Sequence, residues 1–308
     1  MDKLKLKKWK LGAAIGLVLL SVAATLGISV RVGWVLTHPV KLHVDKTAIT
    51  GQPIYKEVAF PSRKADVTLK GWFFPFADSD KTIIFAHGYR KNRLQEDVPA
   101  MKLAMELRRN GYNILMFDFR GCGESGGDVT TIGQFEKQDL IGAVDFMKKM
   151  GRPGNHIGVV GFSMGAATSI AAAADDRRIE AVVADAPFAD LRKYLSDNLS
   201  YWSGLPSFPF TSAIINIMPP VLGLDPAQVS PVADIKKVKV PVLLIHGNAD
   251  TTIPLTNSEE IHKAAPETTT LWIVTGADHV GSYKVQPQKY LRRVLEIFKQ
   301  LDISRRTS

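Results

Sequence analysis

Short, continuously apolar segments alternate with longer amphipathic segments through most of this 308-residue chain. An apolar run without alternation predicts a strand buried on both faces, and such strands occur in parallel sheets that helices cover. The sequence therefore predicts an α/β fold with a mostly parallel central sheet and helices on both faces. The predicted strands, which begin with an antiparallel pair, are 55–60, 67–76, 82–86, 112–119, 157–160, 179–184, 240–245 and 270–274. The predicted helices are 98–109, 134–150, 166–174, 258–265 and 288–301.

The segment at about 190–234 breaks this alternation and carries six prolines and several aromatic residues. Its length and composition predict a small helical cap inserted over one end of the sheet. Aromatic side chains often line pockets for apolar ligands, and they also form the cores of small helical elements. Both interpretations of the cap aromatics stay open.

The N-terminus combines a lysine-rich start with an uncharged apolar run over residues 11–30. This run has the length of a helix that spans a bilayer, whereas the apolar core of a signal peptide is shorter. We predict an uncleaved single-pass anchor in the cell membrane. The lysines that precede it predict a cytoplasmic N-terminus and an extracytoplasmic main domain. The alternatives are a signal peptide cleaved near 21–23, which would give a secreted protein, and a buried helix of a soluble protein.

The net charge of +9 does not indicate nucleic-acid binding, because more than half of it lies in the first 36 residues. The rest of the chain has no basic cluster with interleaved aromatic residues. The single cysteine, Cys122, excludes an internal disulfide and gives no evidence for a thiolate metal site. In its glycine-rich turn, Cys122 is expected to be a small apolar filler rather than a reactive thiol. We expect no metal and no cofactor.

A serine lies between two glycines in the sequence Gly161-Phe162-Ser163-Met164-Gly165, after an apolar strand and before an alanine-rich helix. This pattern at a strand-to-helix corner is typical of a nucleophile elbow, a tight turn that exposes the serine hydroxyl. Side chains at the glycine positions would collide with the adjoining strand and helix. We therefore predict that Ser163 is a nucleophile rather than a polar turn residue.

The serine needs a base to accept its proton, and that base needs a carboxylate to orient it. Catalytic groups in parallel sheets collect where the strands end. His279 directly follows the last predicted strand and is the predicted base. Asp250 follows the preceding strand and is the predicted acid, in the order Ser, Asp, His expected for this architecture. Asp185 and Asp190 remain alternative acids.

The negative oxygen that forms during acyl attack needs N–H donors that are already in place. The backbone N–H of Met164, which directly follows the serine at the start of a helix, is the first predicted donor. The backbone N–H of Tyr89 is the second, because it lies in the loop after strand 82–86 and follows a glycine. His87 is expected to brace this loop rather than to catalyse, and His246 to pack in the loop that carries Asp250.

With these residues, the chain resembles the α/β-hydrolase superfamily over about residues 55–302, in particular membrane-anchored bacterial serine hydrolases related to esterases and serine peptidases. The motifs that carry the resemblance are HGY at 87–89, DFRGCGES at 118–125, GFSMG at 161–165, HGNAD at 246–250 and GADH at 276–279. The resemblance implies a Ser163–Asp250–His279 triad and an acyl-enzyme. The implied organisation is a tail and anchor over 1–36, a linker over 37–52 and an α/β-hydrolase domain over 53–308 that includes the cap.

The resemblance implies a serine hydrolase that cleaves ester-type bonds, in the manner of a carboxylesterase or lipase. The alternatives are a serine peptidase, a thioesterase or an acyltransferase of the same fold, and a non-catalytic binding module. The expected partners are a small acyl substrate, lipid-like or peptide, and a membrane that the protein contacts through residues 11–36.

Overall fold

The structure is a computed structural model that describes residues 3–52, 54–64 and 66–303. The two predicted limits of the α/β-hydrolase domain, residues 53 and 308, lie outside the described residues. Contacts divide the chain into two compact units. The sheet unit comprises 38–191 and the chain from 227 onward, and the helical unit comprises the chain up to residue 37 together with 192–226. The helical unit thus joins the predicted membrane segment to most of the predicted cap.

The sheet unit contains eight strands whose apolar sequences bury most of their side chains. They are β1 (Lys56–Pro61), β2 (Thr68–Phe74), β3 (Lys81–Ala86), β4 (Asn113–Phe117), β5 (His156–Phe162), β6 (Ile179–Asp185), β7 (Val242–Gly247) and β8 (Thr269–Val274). The helices among the described residues are α1 (Lys3–Thr37), α2 (Ala100–Arg109), α3 (Glu136–Lys149), α4 (Met164–Asp175), α5 (Leu191–Ser203), α6 (Ser212–Leu222), α7 (Pro231–Asp234), α8 (Thr256–Ala264), α9 (Ser282–Val285), α10 (Pro287–Phe298) and α11 (Gln300–Ile303).

The strands form one sheet in the order β1-β2-β4-β3-β5-β6-β7-β8. The pairs β1–β2 and β2–β4 are antiparallel, and every other pair is parallel. Ala86 at the end of β3 is in register with Gly161 of β5, and Gly161 is in register with Ala184 of β6. The loops that follow these strands therefore leave the sheet at one edge.

Helices cover both faces of the sheet, as predicted. On β3, Ile83 and Phe85 contribute to one apolar cluster and Ile84 to the other, because successive side chains of a strand point to opposite faces. Helices α2 and α10 pack in the first cluster. Helices α3 and α4 pack in the second, where α3 buries Leu140, Val144 and Met147 on one face. The predicted mostly parallel sheet with helices on both faces is confirmed.

Some element limits differ from the predicted ones for local reasons. Strand β5 continues to Phe162 because Gly161 and Phe162 still pair with β6. Strand β2 ends at Phe74, directly before Pro75, which has no N–H to donate to a neighbouring strand. The segment predicted as a linker, 37–52, contains a 3₁₀ turn over Lys46–Ile49. It also contributes buried side chains to the core of the sheet unit.

The helical unit consists of α1, α5, α6 and a short π-helical segment, Ser207–Thr211. Helix α1 is the one helix among the described residues that is long and apolar enough to cross a membrane, with a mean hydropathy of 2.3 over its apolar window. Near its C-terminal end, Val32 and Leu36 pack against an apolar cluster of cap residues. The cap residues of this cluster are Leu195, Leu199, Ile214 and Ile215.

A fully buried ion pair links the loop after β3 to the loop after β4. The Arg93 guanidinium contacts the Asp118 carboxylate at 2.5 Å, and the backbone N–H of Arg93 donates to Asp118 Oδ1 at 2.7 Å. The guanidinium also lies 4.8 Å from the centre of the Trp72 ring and contacts Glu124, which is partly exposed. Because two charges buried without partners would be very costly, these contacts fix the two loops to each other.

Replacing Asp118 by alanine is expected to lower the free energy of unfolding by about 3 kcal/mol, because the buried Arg93 charge loses its main partner and keeps only Glu124. Denaturant unfolding followed by circular dichroism measures the change. The control is Glu57→Ala, which removes the exposed partner of Lys46 and is expected to change stability little. Similar losses in the two variants would contradict a structural role for the buried pair.

Candidate active site

Ser163 occupies a strained corner between β5 and α4. Its φ of 53° and ψ of −117° lie in a region that residues with a side chain rarely adopt. The Ser163 N–H donates to the Asp185 carbonyl at 2.8 Å, which ties the corner to the end of β6. A Cβ atom on Gly161 would overlap the Gly165 carbonyl oxygen, and one on Gly165 would overlap the Ala86 carbonyl oxygen. The two glycines therefore allow the turn that exposes the serine hydroxyl.

The structure brings Ser163, His279 and Asp250 together in one hydrogen-bonded chain. His279 Nε2 lies 2.9 Å from Ser163 Oγ, and His279 Nδ1 lies 2.8 Å from Asp250 Oδ2. A carboxylate only accepts hydrogen bonds, so Nδ1 carries the proton and donates it. Nε2 is then free to accept the hydrogen bond of the serine hydroxyl. This tautomer is the one a general base at this position requires.

Asp250 is held in its ionised form by donors on both of its oxygens. Oδ1 accepts the backbone N–H groups of Thr252 and Ile253, each at 2.8 Å. Burial raises the pKa of Asp250, but hydrogen bonds from His246 and His279 outweigh burial and hold the pKa well below its ordinary value. Asp250 therefore stays negatively charged through the physiological pH range.

His246 supports Asp250 from the side opposite His279. Its Nε2 donates to the Ile253 carbonyl at 2.8 Å and lies 3.3 Å from Asp250 Oδ2. Its Nδ1 accepts the Ser258 hydroxyl at 2.7 Å. The prediction that His246 packs in the loop of Asp250 agrees with this position, but its approach to the carboxylate was not foreseen. The sequence feature that could have predicted this contact is the spacing of four residues between a histidine at a strand end and an aspartate in the following turn.

The two predicted oxyanion donors belong to the residue after Ser163 and to the loop at 87–89, which passes close to the serine. Met164 is the first residue of α4, and the first N–H groups of a helix have no partner within it. The loop at 87–89 passes close to Ser163, because a Cβ atom on Gly88 would contact Ser163 Cβ at 3.5 Å. The Gly88 N–H already donates to Gln95 Oε1, so the N–H of Tyr89 is the next along this loop.

His87 and Gln95 stabilise this loop through hydrogen bonds. The Phe119 N–H donates to His87 Nε2 at 2.9 Å, which leaves Nδ1 to donate to the Gly88 carbonyl at 2.8 Å. Burial lowers the pKa of His87, so the imidazole stays neutral and keeps this tautomer. The position of His87 agrees with the bracing role predicted for it. No sequence signal identified Gln95, because its contact with Gly88 depends on the path of the intervening loop.

The alternative acids do not contact the histidine. Both ring nitrogens of His279 are occupied, by Asp250 and by Ser163, so neither Asp185 nor Asp190 takes the acid position. Asp185 is fully buried, and the Tyr290 hydroxyl lies beside its carboxyl group but outside hydrogen-bonding geometry. Burial raises the pKa of Asp185 to about 7, although Tyr290 and the histidines His246 and His279 act in the opposite direction.

Cys122 is buried beside the glycine-rich turn after β4. Burial raises the pKa of its thiol well above the ordinary value, which keeps it protonated and unreactive. Among residues 3–52, 54–64 and 66–303, no three or more histidine, cysteine or acidic side chains are grouped as a metal site would require.

The sheet, the corner at Ser163 and the neighbouring histidine and aspartate define a hydrolase of the α/β-hydrolase superfamily. A sequence profile of the prolyl oligopeptidase family matches residues 99–302. The chain therefore belongs to the prolyl oligopeptidase family.

Solved structures and a curated relative are similar to this chain over most of its length. The esterase Pf2001 of Pyrococcus furiosus is 31% identical in sequence, and the match covers 86% of this chain and 98% of that chain with a TM-score of 0.72. The protein YqkD of Bacillus subtilis is 29% identical over 304 residues, which are 93% of this chain and 98% of YqkD. An acylaminoacyl peptidase of Pyrococcus horikoshii shares the fold at 17% identity, with a TM-score of 0.61 and coverage of 85% of this chain and 44% of that chain.

The Asp185→Asn variant is expected to change how stability depends on pH. An unfolded aspartate loses its proton near pH 3.9, whereas folded Asp185 keeps its proton up to a pKa of about 7. Between these values the unfolded chain binds fewer protons, so Asp185 lowers stability as pH rises from about 4 to about 7. Because the variant has no ionisable group at this position, it does not lose stability in this way. The Tm of the variant minus that of the unmodified protein should therefore increase as pH rises from about 4 to about 7.

Thermal unfolding followed by circular dichroism at several pH values measures this difference. The control is Asp78→Asn, which removes a carboxylate whose side chain is 90% exposed. A Tm difference for Asp185→Asn that does not vary between pH 4 and pH 7 would show that Asp185 is ionised in the folded protein.

Proposed function

We propose that this protein is a serine hydrolase that cleaves carboxylic esters through an acyl-enzyme, in the manner of a carboxylesterase or lipase. The observation that carries the proposal is the hydrogen-bonded chain from Ser163 through His279 to Asp250. In this chain an accept-only carboxylate sets the tautomer of the base, and the base faces a partly exposed serine hydroxyl. A non-catalytic binding module has no need of this arrangement.

In the first half of the proposed reaction, Ser163 Oγ attacks the ester carbonyl carbon while its proton passes to His279 Nε2. The carbonyl π electrons move to the oxygen, and the N–H groups of Met164 and Tyr89 donate to the resulting oxyanion. The bond to the leaving alcohol then breaks, and the alcohol takes the proton from Nε2. The acyl group remains as an ester on Ser163.

In the second half, a water molecule attacks the acyl carbon and gives a proton to His279 Nε2. The bond to Ser163 Oγ breaks, the serine recovers the proton, and a carboxylic acid leaves. Asp250 keeps its negative charge throughout and stabilises the imidazolium that forms in each half. The low pKa of Asp250 supports this role, because a carboxylate with a lowered pKa does not take the proton from the imidazolium.

The ester substrate is supported by the 31% identical structure of Pf2001, which is described as an esterase. The second candidate is a peptidase, and the observation in its favour is the match to the prolyl oligopeptidase family. Both reactions use the same nucleophile and base. They differ in the leaving group, which departs as an alcohol in one and as an amine in the other.

Ser163→Ala and His279→Ala are each expected to reduce kcat by about 10⁶-fold, and Asp250→Asn by about 10⁴-fold, because each disables the hydrogen-bonded chain at one link. The matched control is Asp278→Asn, which removes an exposed carboxylate next to His279 and should retain full activity. The measurement is hydrolysis of short-chain nitrophenyl esters, with circular dichroism to verify folding.

A fluorophosphonate probe and a substrate panel complete this test. The probe should label the unmodified protein and leave Ser163→Ala unlabelled. Faster cleavage of aminoacyl amides than of matched esters would replace the esterase assignment with the peptidase. A folded protein that neither reacts with the probe nor cleaves any of these substrates would overturn catalysis altogether.

We further propose that α1 is an uncleaved membrane anchor with its N-terminus in the cytoplasm and the catalytic part outside. Its length and hydropathy support a span, and the lysines before residue 11 support this orientation. In cells, the full-length chain should resist alkaline carbonate extraction, and protease added to spheroplasts should degrade it. A shortened chain in the soluble fraction would instead indicate a cleaved signal peptide.

A further inference from the structure

We infer that the tip of the cap lies in the headgroup region of the membrane, on the side of the bilayer where α1 emerges. The cap tip is defined as residues 198–224 of the helical unit. This inference rests on the proposed membrane anchoring by α1 and goes beyond it, because it assigns a second lipid-binding surface. The partner is the phospholipid surface itself.

The composition of the cap tip is unlike that of a surface exposed to water. No charged residue occurs between Asp197 and Asp225, although 22% of the residues in the chain are charged. An insertion surrounded by water is expected to carry several charges over such a length. Tyrosine and tryptophan, by contrast, are enriched where a protein crosses the membrane interface.

Three of the four aromatic side chains of the cap tip are exposed, and the fourth, Phe210, is half-buried. Among the described residues outside α1, the only exposed aromatic side chains lie in this segment. They are Tyr201, Trp202 and Phe208, which are 86%, 44% and 84% exposed. Tyr201 and Trp202 sit edge to face, with their ring centres 6.5 Å apart, and so form one continuous aromatic surface. An exposed apolar patch of this kind marks a site that binds another apolar surface.

The packing of α1 against the cap sets the depth of this patch. If residues 11–30 fill the hydrocarbon core of about 30 Å, a rise of about 1.5 Å per residue places Val32 about 3 Å and Leu36 about 9 Å beyond its boundary. The headgroup region extends about 5–8 Å on each side of the core. Val32 and Leu36 are the α1 residues in the apolar cluster shared with the cap. The attachment of the cap to α1 therefore extends from Val32, within the headgroup region, to Leu36, just beyond its outer limit.

The absence of charge also specifies how the cap tip binds. Since residues 198–224 contain no lysine or arginine, attraction to anionic lipids contributes nothing to binding at this surface. Burial of aromatic and apolar surface supplies the binding energy instead. Insertion should therefore be equal in neutral and anionic membranes and insensitive to salt.

The test uses the full-length protein with Cys122→Ala as background, reconstituted in phosphatidylcholine vesicles. Single cysteines introduced by Tyr201→Cys or Phe208→Cys carry an environment-sensitive fluorophore, which lipids with a nitroxide near the headgroup then quench. The reference for a membrane-spanning position is Val18→Cys in α1. The control for a position in water is Lys236→Cys, which is exposed on the sheet unit.

We expect strong quenching at positions 201 and 208 by headgroup-level nitroxides, unchanged by about 30% anionic lipid or by about 0.5 M salt. Quenching at position 236 should be at least about fivefold weaker, because nitroxide quenching falls steeply with distance from the lipid surface. Quenching at position 18 should come from nitroxides deep in the acyl chains.

Each other outcome contradicts a specific part of the inference. A deep position for Val18→Cys with Tyr201→Cys and Phe208→Cys in water would overturn the inference and leave the anchor intact. Absence of quenching at all positions would overturn the anchor itself. Protection of positions 201 and 208 from aqueous iodide without quenching by lipid would show that a second copy of the chain covers the patch. Quenching that requires anionic lipid would overturn the apolar mode of binding.

Discussion

The hydrogen bond from His279 Nδ1 to the Asp250 carboxylate is the interaction on which the proposed chemistry of this protein depends. Asp250 accepts backbone N–H groups on one oxygen and two imidazoles approach the other, so it remains charged although it is buried. An ionised carboxylate fixes the proton of His279 on Nδ1. The lone pair of Nε2 is then directed at Ser163, and the serine hydroxyl can donate a hydrogen bond to it before any substrate binds.

The hydrogen-bonded chain from Asp250 through His279 to Ser163 needs loops that are far apart in sequence to meet at one sheet edge. Constraints on the backbone bring these loops together. The register of β3, β5 and β6 aligns the ends of these strands. Glycines at 161 and 165 then allow Ser163 to approach the loop after β3. His87 and the Arg93–Asp118 pair hold that loop against the end of β4, which fixes the position of the predicted oxyanion loop beside Ser163.

Much of the fold and of the candidate site could be predicted, because both follow from local pattern. Continuously apolar strands predict a parallel sheet, and the residues that follow parallel strands lie at the same edge of the sheet. This rule identified Ser163, Asp250 and His279 as candidate site residues. Contacts that depend on loop paths could not be predicted, such as that of Gln95 with Gly88 or of His246 with Asp250. The uncharged apolar run likewise predicts the helix α1, but it does not reveal that Val32 packs against the cap.

The central claim is that Ser163 attacks an acyl carbon while two backbone N–H groups receive the oxyanion. A crystal structure of the protein after reaction with a fluorophosphonate tests this claim most directly, because the phosphonyl group imitates the tetrahedral intermediate. We predict a covalent bond from Ser163 Oγ to phosphorus, with one phosphonyl oxygen about 2.7–3.1 Å from the backbone nitrogens of Met164 and Tyr89. Phosphorus attached to another residue, or an oxygen directed away from both nitrogens, would contradict the account.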